Sequence, residues 1–362
     1  MISSRHVQRL LALWSLPAKT PPRVGATAAD VVWQQNKAKL WAYRPSASAP
    51  PQGRPVLLVP SLINRHYILD LMPGKSLVEW LVDRGFAVYC VDWGAPGPED
   101  ADQDLDAIVD GLLRRAVAAC IDHHRARTTA AGPPQTPDGD APRGQGVHLV
   151  GYCMGGMFTA MLAARRPETA ASMVAIAAPI RFRGDPGLLR AWAATDSLDL
   201  GALVQAYGVV PPWLLQGAFQ LLRPTLNLSK AVHLVDRAHR PEFLDGYLAM
   251  EAWANDNVGL PGAFFRQYIE HIYRNDGLAR GTLSLGGAAV DLRRLRAPTL
   301  CVVFRDDHIA TADSCRALLE LIGSDDKASL ELSGSHVGGV VGKAAMAKLW
   351  PELASFWRRL DA

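Results

Sequence analysis

The stretch at residues 147–156, VHLVGYCMGG, constrains the fold of this chain more than any other stretch. Residues 147–150 form a short apolar run that is typical of a buried strand, and residues 157–165 form an Ala-rich segment that is typical of a helix. A Gly-x-Cys-x-Gly turn centred on Cys153 lies between them. Because glycine lets a strand and a helix approach closely, the pattern predicts a nucleophile elbow, a tight turn that presents its central side chain.

Cys153 has a simpler interpretation, because cysteine is among the most buried residue types and most cysteines only fill a core. The elbow favours a chemical role instead. A thiolate at the N-terminus of a helix is stabilised by the helix dipole, and a histidine can serve as its base. We therefore predict that Cys153 is a nucleophile suited to acyl transfer.

The composition limits the classes of fold and partner. A chain of 362 residues can hold one α/β core domain with an insertion, and 49% hydrophobic residues leave room for an apolar pocket. A net charge of +3 is too small to predict a nucleic-acid surface. The five cysteines form no close-spaced pair, which argues against a zinc site and a disulfide framework and favours a reducing compartment.

The N-terminal segment carries a weak targeting signal. Residues 1–16 combine two arginines with a short apolar run, but Pro17 and Lys19 follow in place of a small-residue cleavage site. We interpret the segment as a short amphipathic helix. We expect no transmembrane segment elsewhere, since no apolar stretch approaches the length that spans a bilayer.

Apolar runs and amphipathic segments alternate along the first half of the chain and again near its end. The predicted buried strands are residues 55–59, 86–91, 147–150, 173–177, 298–304 and 328–332. The predicted helices are 76–84, 105–117, 157–165 and 344–360, and an antiparallel edge hairpin is predicted at 31–33 and 38–43. A nucleophile after a central strand in such an alternation predicts a doubly wound, mostly parallel sheet of the α/β-hydrolase type.

The alternation stops after Pro179. The segment that follows is helical in pattern and rich in leucine and aromatic residues, so it predicts a mainly helical cap inserted into the core. The predicted divisions are a first part of the core at 1–180, the cap at 181–285 and a second part of the core at 286–362. The aromatic residues of the cap are Trp192, Tyr207, Trp213, Tyr247, Trp253, Tyr268 and Tyr273.

A nucleophile elbow needs an acid and a histidine, which follow it along the chain in that order. Asp306 and Asp307 follow the strand at 298–304, where a carboxylate can reach a histidine. His336 lies in a glycine-lined loop after the last strand and is the candidate base, although a surface-loop histidine is the simpler interpretation. The residues alone leave Asp306 and Asp307 as competing acids. His308, beside them, could line the pocket or make only a structural hydrogen bond.

Several blocks in this order resemble those of polyhydroxyalkanoate synthases. They are residues 60–71 (PSLINRHYILDL), 91–94 (VDWG), 151–156 (GYCMGG), 307–309 (DHI) and 335–338 (SHVG). The resemblance runs from about residue 30 to residue 360. It implies an acyltransferase that polymerises (R)-3-hydroxyacyl-CoA into polyhydroxyalkanoate, and it implies Asp307 as the acid.

The resemblance implies that His336, oriented by Asp307, deprotonates Cys153, which then attacks the acyl-CoA thioester and releases CoA. We expect the backbone N–H of Met154 and one N–H from the loop at 60–64, with Ile63 as the candidate, to hold the oxyanion. We expect no metal and no cofactor, since the CoA thioester is the substrate.

The chain resembles the short synthase classes, III and IV, whose catalytic subunit works with a small partner subunit. This implies a homodimer, a partner subunit, a bound polyester chain and a cytoplasmic location at the storage-granule surface. Two other functions stay open. A Cys-dependent thioesterase or esterase of the same fold would share every catalytic residue, and a granule-associated protein could keep the fold without catalysis.

Overall fold

The computed structural model describes residues 19–20, 22–128, 146–185, 199–222 and 226–362, together with positions 14, 187, 191 and 193 and without the side chains of 226–229. The predicted N-terminal helix lies outside these residues except for Trp14. Trp192 of the predicted cap also lies outside them. The strands are β1 Ala29–Gln35, β2 Ala38–Tyr43, β3 Val56–Val59, β4 Val88–Asp92, β5 Val147–Tyr152, β6 Ala170–Ile176, β7 Val209–Val210, β8 Leu260–Pro261, β9 Ser284–Leu285, β10 Ala288–Ala289, β11 Thr299–Phe304 and β12 Lys327–Leu332.

The helices connect and cover these strands. The α-helices are α1 Leu77–Val82, α2 Arg114–Thr128, α3 Met154–Arg165, α4 Leu200–Tyr207, α5 Pro212–Leu222, α6 Leu226–Arg237, α7 Pro241–Asn255, α8 Gly262–Gln267, α9 Ala312–Leu321, α10 Gly338–Val341 and α11 Trp350–Asp361. Three segments are π-helical, namely Ala107–Leu113, Tyr268–Arg274 and Ala345–Leu349. Short 3₁₀ turns lie at His66–Leu69, Pro98–Asp100, Pro167–Thr169 and Leu292–Arg294.

The main sheet has the strand order β1-β2-β4-β3-β5-β6-β11-β12. The six strands from β4 to β12 run parallel, while β1 and β2 form the predicted antiparallel hairpin at the edge. The structure therefore confirms the predicted doubly wound, mostly parallel sheet. Strand β5 is central, and its end at Tyr152 pairs with Ile176 of β6.

The continuous apolar runs of the sequence correspond to strands that are buried on both faces. All four residues of β3 are buried. Leu57 and Val59 belong to the apolar cluster on one face of the sheet, and Val56 and Leu58 belong to the cluster on the other face. A strand covered on both faces has no solvent side for polar residues, which explains why these segments do not alternate.

The chain between β6 and β11 contains helices α4 to α8, and its described strands are two-residue antiparallel pairs. Backbone hydrogen bonds of 3.0 Å join this region to the core, from Val258 to Ile63, from Ala263 to Ala101 and from Phe264 to Gln103. The division of the chain into core and cap stays a prediction. Across the described ranges, each helix is too short or too polar to cross a bilayer.

Candidate active site

The predicted tight turn is present at Cys153, between the end of β5 and the start of α3. Cys153 has φ 56° and ψ −125°, a backbone conformation that side-chain-bearing residues rarely adopt. Its N–H donates to the carbonyl of Ile176 at 2.9 Å, which ties the turn to the neighbouring strand. A Cβ at Gly151 would overlap Gly156, and one at Gly155 would overlap the carbonyl of Val59. The glycines are therefore required by the close approach of strand and helix.

Asp307 and His336 meet at the same edge of the sheet as Cys153. Nδ1 of His336 lies 2.7 Å from Oδ2 of Asp307, and both side chains are almost fully buried. The other Asp307 oxygen accepts hydrogen bonds from the backbone N–H groups of Ile309 and Ala310, at 2.8 and 2.9 Å. These bonds fix the carboxylate in one orientation, so the carboxylate can hold the imidazole of His336 in place.

Asp306 and His308, which flank Asp307 in sequence, are both exposed. Neither makes a side-chain hydrogen bond to His336 in the described structure. The turn after β11 directs Asp307 inward and its two neighbours outward. Of the two competing acids, the structure therefore brings Asp307 to the histidine.

Cys153 lies close enough to His336 for its negative charge to act on the imidazole, so the three residues lie together at this edge. Burial by itself lowers the pKa of His336, but the negative charge of Cys153 and the hydrogen bond and charge of Asp307 outweigh burial and raise that pKa above its usual value. The imidazolium is therefore the favoured form of His336 while Cys153 is a thiolate. The Tyr152 hydroxyl donates to the His336 carbonyl at 3.2 Å and holds the histidine loop against β5.

Ile63 and Met154, the predicted oxyanion residues, line the same cavity as Cys153. Met154 is the first residue of α3, where backbone N–H groups have no carbonyl one turn earlier to bond. The N–H of Ile63 makes only a long bond of 3.4 Å, to the Ser61 hydroxyl. Both N–H groups are thus available as donors to a negatively charged oxygen near Cys153.

Asp256, whose role sequence reasoning missed, holds the loop that carries Ile63. One carboxylate oxygen accepts from the Tyr67 hydroxyl at 2.7 Å, and the other accepts from Nε of Arg65 at 3.1 Å.

Two neighbours of Asp256 hold the same loop. Nε1 of Trp253 donates to the Arg65 carbonyl at 3.0 Å, and Asn64 bonds the side chain of Asn257. The polar run at residues 255–257, directly after an apolar helix, was the available sequence signal.

A cavity of about 460 Å³ lies in front of Cys153. This volume is typical of small-molecule sites, which span roughly 300–1,000 Å³. The lining is apolar except for Cys153 and the hydroxyls of Tyr268 and Tyr273, and no charged side chain lines it among the described residues. Burial raises the pKa of both tyrosines well above the usual value, so their hydroxyls stay protonated. Within the same described ranges, no group of three His, Cys, Asp or Glu residues lies close enough to hold a metal ion.

The comparisons with known families agree with this geometry. Residues 21–81 match the family described as Poly-beta-hydroxybutyrate polymerase (PhaC) N-terminus, and residues 54–332 match the family described as alpha/beta hydrolase fold. Among solved structures, a protein of Mycobacterium tuberculosis H37Rv assigned as the non-heme bromoperoxidase BpoC aligns with a TM-score of 0.51 and 16% identity, over 95% of this chain and all of that chain. This likeness shows the fold alone.

Two curated relatives are more informative. The chain is 33% identical over 336 residues to the Poly(3-hydroxyalkanoate) polymerase subunit PhaC of Haloferax mediterranei, covering 92% of this chain and 64% of that protein. It is 31% identical over 334 residues to the Poly(3-hydroxyalkanoate) polymerase subunit PhaC of Allochromatium vinosum, covering 92% of this chain and 88% of that protein. The match thus spans somewhat less than two thirds of the first relative and most of the second.

Iodoacetamide should label Cys153 first in the native protein, because Cys153 is half-buried while the other four cysteines are buried and burial raises their pKa. Peptide mass mapping after brief labelling at neutral pH measures which cysteine is labelled first.

His336→Gln should slow the labelling of Cys153 by roughly tenfold or more, since it removes the positive partner of the thiolate. Asp306→Asn is the matched control and should label at the wild-type rate. Equal labelling of a buried cysteine in the folded protein would contradict the assignment.

Proposed function

This chain belongs to the poly(3-hydroxyalkanoate) polymerase (PhaC) family, and from that membership we propose that it polymerises (R)-3-hydroxyacyl-CoA into polyhydroxyalkanoate through a thioester on Cys153. The family makes the chain an acyltransferase of the α/β-hydrolase fold. The observation that carries the proposal is the grouping of Cys153 with the hydrogen-bonded pair His336 and Asp307, where Cys153 lines an apolar cavity.

The first step transfers the acyl group to Cys153. His336 takes the thiol proton, and the thiolate attacks the carbonyl carbon of the substrate thioester. A new bond joins this carbon to the sulfur of Cys153, the bond to the CoA sulfur breaks, and His336 returns the proton to the leaving CoA thiolate. The N–H groups of Met154 and Ile63 support the proposal because they are available to hold the transient oxyanion.

The second step lengthens the chain. His336, now neutral, takes the proton of the 3-hydroxyl of another substrate, and that oxygen attacks the acyl group on Cys153. An ester bond forms, the bond to the Cys153 sulfur breaks, and the thiolate faces the imidazolium again. The extended acyl-CoA then acylates Cys153 in the same way. These steps use only groups of the protein and the CoA thioester.

A cysteine suits this repetition better than a serine. Exchange of one thioester for another is close to thermoneutral, so the acyl group on Cys153 stays activated for attack by a hydroxyl. The apolar lining of the cavity disfavours water, which would release the acyl group as a free acid. This favours a polymerase over the thioesterase alternative, which would need water at the same carbonyl carbon. The intact set of three residues speaks against a non-catalytic granule protein.

We further propose that the chain works as a homodimer or with a small partner subunit, at the surface of a storage granule in the cytoplasm. The word subunit in the names of both relatives supports the part of this proposal that concerns assembly. The polymer product supports a granule location, since an insoluble polyester collects where it is made.

Purified protein incubated with 3-hydroxybutyryl-CoA should release CoA and form an insoluble polyester. Cys153→Ala should abolish both, while its circular dichroism and unfolding midpoint stay close to wild type, because the change replaces one small side chain by another. A free hydroxy acid as the main product of the wild type would favour the thioesterase. Residual CoA release above a few per cent of wild type in Cys153→Ala would assign the nucleophile elsewhere.

Asp307→Asn should reduce the rate of CoA release on the order of 10³-fold or more. In the wild type, one oxygen of Asp307 accepts from the N–H groups of Ile309 and Ala310, and the other bonds Nδ1 of His336. An amide has a single oxygen and no charge, so it cannot replace both. Asp306→Asn is the neighbouring control and should stay within about twofold of wild type, since its side chain is exposed and no described hydrogen bond joins it to His336. Steady-state CoA release measures both variants. The reverse ranking would move the acid to Asp306.

Activity per molecule should fall on about a hundredfold dilution, or show a lag that a partner subunit shortens, because assembly follows mass action. Sedimentation at each assay concentration gives the oligomeric state alongside the rate. A monomeric sample with constant activity per molecule and no lag would refute the proposed assembly.

A further inference from the structure

Two side chains of helix α5 belong both to the cavity and to the protein surface. Trp213 and Leu221 line the cavity that contains Cys153, yet they are 60% and 63% exposed. The aromatic residues deeper in the same cavity are buried, with Tyr268 at 7% and Tyr273 at 8% exposure. Exposure thus rises along the cavity wall, and Trp213 and Leu221 connect the cavity to the protein surface.

Gly217 lies between these two residues on the same side of the helix. The three positions are four residues apart, so they form one stripe about 12 Å long on α5. Gly217 also lines the cavity, and a Cβ added there would meet no atom of the described residues within 4 Å. Trp213, Gly217 and Leu221 therefore form an open groove with an apolar side chain at each end, which we call the α5 groove.

The apolar surface continues beyond the α5 groove. The ring of Tyr207, from helix α4, packs edge-on against the ring of Trp213, with 6.1 Å between ring centroids, and Tyr207 is 48% exposed. Large apolar side chains at a surface usually mark a place where an apolar ligand or partner binds. Here the surface is continuous with the cavity of the proposed nucleophile, which identifies the ligand class.

The groove suits an apolar chain better than it suits CoA. CoA carries several phosphate charges, and a mouth that admits it would need basic side chains nearby. No charged residue is among the described residues that line the cavity. A polyhydroxyalkanoate chain is uncharged and presents alkyl side groups, so its burial along Trp213 and Leu221 is favourable at about 25 cal/mol per Å² of apolar surface.

We propose that the α5 groove is the outlet along which the growing polyester leaves Cys153. The proposal rests on the proposed function and adds a binding site for the product chain. A chain held at one end by Cys153 fills the cavity after a few units, and further growth then requires an exit that excludes water. The α5 groove meets both requirements, because it starts in the cavity and is lined by apolar groups.

Gly217→Phe tests the outlet directly, because the added ring occupies the groove. The open space around Gly217 admits a larger residue, and most residues are more favourable than glycine within a helix, so the variant should fold. Val235→Phe is the matched control. Val235 lies on α6, is 51% exposed and is not among the cavity residues, so the same ring is added to the cap surface outside the groove.

Two readouts separate acylation from elongation. Rapid quenching with one substrate molecule per enzyme gives the rate of the first CoA release. Mass spectrometry of the Cys153 peptide gives the number of hydroxyacyl units attached to Cys153. In Gly217→Phe mean polymer length should fall at least tenfold, several times more than the rate of the first CoA release falls, and adducts of a few units should accumulate. Val235→Phe should match the wild type in both readouts. Trp213→Ser should shorten the polymer in the same direction.

Three results would overturn the outlet. Wild-type polymer length in both Gly217→Phe and Trp213→Ser would show that the chain leaves elsewhere. Loss of the first CoA release in Gly217→Phe, with circular dichroism unchanged, would make the groove the substrate entrance. An altered sedimentation coefficient of these variants with normal polymer length would indicate that the α5 groove is a contact with a second copy of the chain. Failure of the wild type to release any CoA would instead refute the proposed function, and the outlet with it.

Discussion

The close approach of strand β5 to helix α3 is the constraint on which the active site depends. A Cβ at Gly151 would overlap the backbone of Gly156, and one at Gly155 would overlap the carbonyl of Val59, so neither position has room for a side chain. This packing forces the chain to reverse direction within one residue, which explains the positive φ of Cys153. The strained residue projects at the carboxyl edge of the sheet, where loops from three other strands can reach it.

The chemistry at this edge follows from burial of charge beside apolar groups. Asp307 and His336 are removed from water, and each would be destabilised there without its partner. Two backbone N–H groups and one imidazole satisfy the Asp307 carboxylate in the interior. The negative charge of Cys153, together with Asp307, favours the imidazolium form of His336. The apolar cavity in front of the three residues strengthens these interactions, because few solvent dipoles are present to screen them.

The region between β6 and β11 contributes to the site from two sides. Asp256 and Trp253 hold the loop of Ile63, so the position of one proposed oxyanion donor depends on side chains about 190 residues further along the chain. Helix α5 contributes to the lining of the cavity. A displacement of this region would therefore change both the donor loop and the cavity wall.

The sequence by itself determined the elbow at Cys153, the parallel sheet and the positions of most strands, because these follow from local patterns of glycine and apolar residues. It also brought His336 to the correct edge, since the last strand of a parallel sheet must end there. The residues alone left Asp306 and Asp307 open and the resemblance implied Asp307, while the tertiary structure brings Asp307 to His336, because adjacent residues in a turn point in different directions. The polar run at 255–257 marked a place in the sequence, but the partners of Asp256 and the α5 groove were decided by the tertiary structure. They arise from contacts between residues far apart in the chain, and from the side of a helix that faces a cavity formed by other elements.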